Sequence, residues 1–120
     1  MRNAEEIRDF CLQFPYVEEG FPFDEDTLVF KVGGKMFLLM GLSSKPVEFN
    51  VKCEPALAQR LREIHEFVMP GYHMNKTHWN TVVCGPKATN AQIKEMIRHS
   101  YELVVSSLPK KTKQELGIVK

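Results

Sequence analysis

The sequence predicts an α+β domain, an antiparallel sheet of about five strands with three helices packed mainly on one of its faces. Three observations carry that prediction. Apolar residues recur at helical spacing in three separate segments, the period changes to two between the first and second of them, and a Gly-Gly dipeptide separates two strand-like runs.

Asn3 can cap the first helix with Glu6 three residues on, and Ile7, Phe10, Cys11 and Phe14 then keep helical spacing until Pro15 ends it. Residues 21–23 can supply a short strand. TLVFKV-GG-KMFLLM is a hairpin signal, since Gly33-Gly34 can take the positive φ values of a two-residue turn. Such a turn makes Val32 oppose Lys35, Phe30 oppose Phe37 and Leu28 oppose Leu39 on the core side. The opposite face then carries Val29, Lys31, Met36, Leu38 and Met40, too apolar to be left bare to water, so something covers it or binds it. Only a two-residue loop gives this register. Val47, Phe49 and Val51 alternate with Glu48, Asn50 and Lys52 in a further half-buried strand.

Glu54 with Pro55 opens the second helix, which is expected to run to about Phe67 with Leu57, Leu61 and Ile64 along one face. HWNTVVC reads as a last strand. Thr89 and Gln92 form a capping box for the third helix, whose stripe of Ile93, Met96, Ile97, Tyr101, Val104, Val105 and Leu108 ends before Pro109.

The chain of 120 residues is long enough for one self-supporting domain over 1–120, with residues 110–120 a basic tail that can be flexible, dock on the body or extend a basic patch. Its 43% hydrophobic and 26% charged residues suit a water-soluble globular protein. Acidic residues stand where a signal peptide would be apolar, and MFLLMGL is too short to span a bilayer, so a cytoplasmic location without membrane partners is expected. Net charge is +1, which provides no global field toward nucleic acid or anionic lipid, so any polyanion binding needs a local patch. The three cysteines, Cys11, Cys53 and Cys84, lack CxxC spacing and read as reduced thiols.

The stretch PGYHMNKTHWNTV, residues 70–82, concentrates two histidines, the only tryptophan, two asparagines and a lysine. Its chemistry suits a metal site, an active centre, a nucleic-acid surface or a loop running into a strand. His73, His78 and Cys84 are the conceivable metal ligands, but their spacing is unsuited and no acid falls between Gly71 and Gly85, so no metal is expected. Cys53 or Cys84 with His78 is the sole candidate nucleophile and base pair. GxSxG, P-loop and GxGxxG motifs are absent, and neither a catalytic residue nor a cofactor is assigned. Asp24-Glu25-Asp26 reads as a solvated turn, His65 as a helix-end residue and His99 as part of a solvent face. Lys31, Lys35, Lys45, Lys52, Lys76 and Lys87 fall on or beside expected strands, and Tyr72 and Trp79 offer stacking planes close to Lys76.

The helix EPALAQRLREIH, the Pro-Gly turn and NKTHWNTV, together with FPFDEDTLVFKVGGKMFLL, VEFNVKCEP and SYELVVSSLPKK, resemble the MmcQ/YjbR-like family over almost the whole chain. That resemblance implies a CyaY-like, or double-wing, architecture and a DNA-binding role attached to the family largely by fold analogy. The matched positions are Lys35, Lys52, Asn75, Lys76, His78, Trp79, Asn80 and Tyr101, with Asn80 able to bond the loop backbone and Tyr101 to pack the third helix on the sheet.

The leading expectation is a non-catalytic domain that binds DNA or another nucleic acid through the helix-free sheet face. There Lys31, Lys52 and Lys76 would neutralise phosphates, Tyr72 or Trp79 would stack, and Asn75 and His78 would donate hydrogen bonds. The rival is a protein or small-ligand interaction module, or a self-associating chain, in which Val29, Met36, Leu38 and Met40 meet the partner. An enzyme ranks third.

Overall fold

Gly33 and Gly34 adopt φ of +59° and +81° and close a two-residue turn that pairs Val32 with Lys35. The computed structural model describes residues 3–71 and 74–118. In chain order its elements are α1 (Ala4–Leu12), β1 (Val17–Gly20), β2 (Thr27–Val32), β3 (Lys35–Gly41), β4 (Glu48–Lys52), α2 (Pro55–Ile64), β5 (Val68–Pro70), β6 (Trp79–Val83), α3 (Asn90–Ser107) and α4 (Lys110–Leu116). The six strands form one sheet in the order β1-β2-β3-β4-β6-β5, with every neighbouring pair antiparallel.

The α+β class holds, and three boundaries move. The first strand is β1 rather than residues 21–23, where Pro22 has no N–H for a ladder and Phe21 and Phe23 stand exposed. Helix α2 stops at Ile64 because His65 is extended, and the apolar residues beyond it, Phe67 and Val68, turn inward at the edge strand β5. Residues 110–116 of the expected tail form α4, whose following Gly117 takes φ of +81°. Leu116 and Ile118 pack against the core.

The hairpin departs from its expected register one step beyond the turn. Lys31 pairs with Met36, but Phe30 pairs with Leu38 and Leu28 with Met40, so Phe37 is an extra, unpaired residue. A bulge of this kind turns every later side chain to the other face. Phe37, Leu38 and Met40 all enter the core with Leu28 and Phe30, while Leu39 joins Val29 on the outer face. Leu38 and Met40 are therefore core residues, and not the outer-face residues that an unbulged hairpin predicts. Ser100 of α3 accommodates the bulge: its hydroxyl donates to the Phe37 carbonyl at 2.5 Å and accepts from the Lys52 N–H at 2.8 Å.

Helix α3 lies across β3 and β4 and buries Ile93, Met96, Ile97, Tyr101 and Val104. Tyr101 stacks on Phe14 at 4.5 Å, meets Phe37 edge-on at 5.3 Å and donates to the Pro15 carbonyl at 2.5 Å, joining α3 to the end of α1. Helix α2 is held differently. It packs on β5 and β6, and among its described residues Ala58 alone is buried, with Leu57 and Leu61 half-buried and Ile64 59% exposed. Leu57 and Leu61 face a gap between α2 and α3.

Candidate functional site

The outer sheet face does not gather lysines. Lys31 stands between Glu18 of β1 and Met36 of β3, Lys52 stands beside Trp79, and Glu48 stands beside Val83. Trp79, the expected stacking plane, is only 8% exposed and forms a small cluster with Val29 and Leu39, against which Met36 and Met74 pack. The Gly71 N–H donates to the Trp79 carbonyl at 3.0 Å, and a Cβ at Gly71 would lie 2.9 Å from that of Trp79, so only glycine permits this approach. The chain's own segment thus covers part of the face that the sequence left open. Tyr72 and His73 lie outside the described residues.

Asn75, Lys76 and His78 are exposed in a tight turn at one end of the sheet. Asn75 Oδ1 accepts from Thr77 N–H at 2.8 Å, the His78 carbonyl accepts from Cys53 N–H at 2.8 Å, and Arg62 Nη1 of α2 donates to the Lys76 carbonyl at 3.0 Å. Lys52, which pairs with Trp79, and Arg62, Lys76 and His78 therefore belong to segments that meet at this rim of the sheet, with Glu54 opening α2 nearby. Lys31, on β2, is separated from β4 by β3 and does not join them. Lys87 pairs with Glu66 elsewhere on the surface. Arg62 escaped sequence reasoning because only the fold lays α2 against this turn.

The gap between α2 and α3 is a cavity of about 470 Å³. Val51 and Val82 are in its floor, Leu57 and Leu61 line the α2 wall and Met96 the α3 wall. Asn80 also lines it, 1% exposed, with Nδ2 donating to the Ala58 carbonyl at 3.3 Å and Oδ1 unpaired. The expected loop partner of Asn80 is thus the backbone of α2. His65 and His99 also line the cavity. His99 departs from its expected solvent role, since its Nε2 accepts from the Glu54 N–H at 3.3 Å. The Glu54 carboxylate accepts from Leu57 and Ala56 N–H at 2.9 and 3.2 Å, which holds its pKa below the ordinary value.

The thiols are poorly suited to nucleophilic work. Burial pushes Cys53 and Cys84 up to about 11 and Cys11 up to about 12, leaving them protonated at neutral pH. The hydrogen bond between Cys53 and His78 runs through their backbones. Among the described residues no group of three or more His, Cys, Asp or Glu side chains is arranged to hold a metal ion. Asp24 instead caps its own turn, accepting from Asp26 and Thr27 N–H at 2.9 and 2.6 Å. No helix among the described residues is long and apolar enough to cross a membrane.

The YjbR family model matches residues 12–103, most of the chain. The chain belongs to the YjbR family. It is 34% identical over 112 residues to the uncharacterized protein YbdF of Escherichia coli O157:H7, covering 93% of this chain and 92% of that protein. The uncharacterized protein YjbR of Escherichia coli K12 is 29% identical over 111 residues, covering 92% and 94% respectively. The crystal structure of Deinococcus radiodurans protein DR2400, with a DUF419 domain, superposes with a TM-score of 0.92 at 35% identity, covering 98% of this chain and 90% of that one. The likeness to that structure takes in nearly the whole chain.

Proposed function

We propose that this YjbR-family domain is a non-catalytic binding module whose site is the α2–α3 cavity, occupied by a small, largely apolar molecule. The half-open stripe of Leu57 and Leu61 carries this reading. An amphipathic helix gains roughly 25 cal/mol for each Å² of apolar surface it removes from water, so a helix that leaves its stripe facing a cavity forgoes stabilisation that an occupant would supply. The cavity volume of about 470 Å³ lies in the range of small-molecule sites. Titration of the labelled protein with apolar fragments should shift the amide resonances of Leu57, Leu61, Val82 and Met96 and raise the thermal midpoint. Leu61→Asp should weaken that binding at least about tenfold, because a desolvated carboxylate opposes an apolar occupant. Fragments that leave these resonances unmoved up to millimolar concentration would remove the reading.

A second reading places nucleic acid at the rim, supported by the convergence of Lys52, Arg62, Lys76 and His78 around the turn that exposes Asn75. Lys31, separated from β4 by β3, and the buried Trp79 take no part in that interface. If Lys52, Arg62 and Lys76 meet phosphates, counterion release predicts that affinity for duplex DNA falls roughly 40-fold between 50 and 200 mM salt. Anisotropy of a labelled duplex measures this, and Lys52→Ala with Lys76→Ala should flatten the salt slope. An affinity indifferent to salt would contradict it.

A further inference from the structure

Resting on the cavity reading above, we infer that the ligand is a neutral, mainly apolar molecule bearing one N–H or O–H donor, which pairs with Asn80 Oδ1 as α2 gives way. Asn80 sits on β6 opposite Val51, where an aliphatic side chain would complete the apolar floor. Instead it places an amide there, 1% exposed, and its Oδ1 is the one buried side-chain polar atom without a partner among the described residues. The neighbouring buried hydroxyls are satisfied: Thr81 donates to Asn50 Oδ1 at 2.7 Å, and Ser100 makes both of its bonds. Leaving a buried acceptor unmade costs more than a typical hydrogen bond contributes, so the position favours any occupant able to donate.

The amide orientation follows from chemistry. Nδ2 faces the Ala58 carbonyl at 3.3 Å, and a flipped amide would set two acceptors together. Oδ1 is therefore the atom left for a ligand, and it selects against carboxylates and ethers, which bring only lone pairs. Access is controlled by α2. Oδ1 is closed to solvent, and this helix, with Ala58 its one buried position among the described residues and a long hydrogen bond to Asn80, is the wall that can shift to admit a donor.

The test compares probes of matched shape with and without the donor, indole against 1-methylindole and 2-naphthol against 2-methoxynaphthalene, titrated into the full chain and followed by amide resonances. Indole and 2-naphthol should bind about tenfold more tightly than their capped partners and shift the Asn80 side-chain amide and the Ala58 backbone amide. Asn80→Leu should erase the preference while retaining affinity for both members of each pair. If that variant does not fold, movement of the Asn80 side-chain amide with donor probes alone decides the matter in the unaltered protein. Equal binding within each pair overturns the donor inference and leaves the cavity reading standing. Failure of all four probes to perturb cavity resonances overturns both.

Discussion

Ser100 shows how one polar atom can decide a register. It lies within the apolar stripe of α3, is fully buried, and bonds both the carbonyl freed by the Phe37 bulge and the Lys52 N–H. Alanine would fit the same space but leave two backbone groups without these partners, so Ser100→Ala should cost about 2 kcal/mol or more. Urea denaturation checks this: the midpoint should fall at unchanged m-value, and a variant as stable as its parent would deny the hydroxyl any role in holding the bulge. Helical spacing exposes a serine in the stripe but says nothing of which carbonyl it meets. Trp79 is a similar case. Its ring suits a surface or a core; it joins Leu39, which the bulge turns outward, and is covered by Met36 and by Met74, which follows the close passage at Gly71.

At the scale of elements, helix starts were legible and helix ends less so. The Asn3, Glu54 and Thr89 caps all form, because each is a local bond between a side chain and a backbone N–H two or three residues on. The end of α2 was overrun because the apolar spacing continues through residues that in fact enter β5. Glu54 permits a check with a defined sign. Its folded pKa is lowered, by the Leu57 N–H first and the Ala56 N–H second, so the folded state holds that proton less tightly than the unfolded chain. The resulting stability is present above the ordinary carboxylate pKa of about 4.3 and is lost as pH falls through the lower folded value. Glu54→Gln should therefore lower the thermal midpoint at pH 7 and reduce its fall between about pH 5 and pH 3. Curves for parent and variant separated by a constant amount at every pH would contradict this account.

Across the whole molecule, the three thiols report on cooperativity. Cys11 lies in α1, Cys53 follows β4 and Cys84 follows β6, and all three are buried and held protonated by desolvation. A single cooperative core predicts that iodoacetamide labels them together across a denaturant series, at the midpoint seen by tryptophan fluorescence. Labelling of one thiol well before the others would instead reveal a separately opening unit. Because the folded state keeps these thiols protonated more firmly than the unfolded chain does, stability is untouched by them below the usual thiol pKa of about 8.5 and is lost as pH rises from there through the folded values near 11 and 12.

Sequence alone determined the α+β class, the Gly-Gly hairpin, the alternation of β4 and the start of each long helix, since these depend on side-chain period and on bonds spanning a few residues. Tertiary structure decided which strand carries the bulge, which face Leu38 and Met40 join, where Trp79 is buried and how α2 stands from α3. Those outcomes depend on contacts such as Ser100 with Phe37, 63 residues apart, and Asn80 with Ala58, 22 apart. Local pattern constrains the residues at each end of such a contact but not their meeting, and the cavity exists because α2 packs on β5 and β6 while α3 packs on β3 and β4, leaving space between two helices that the Glu54–His99 bond bridges.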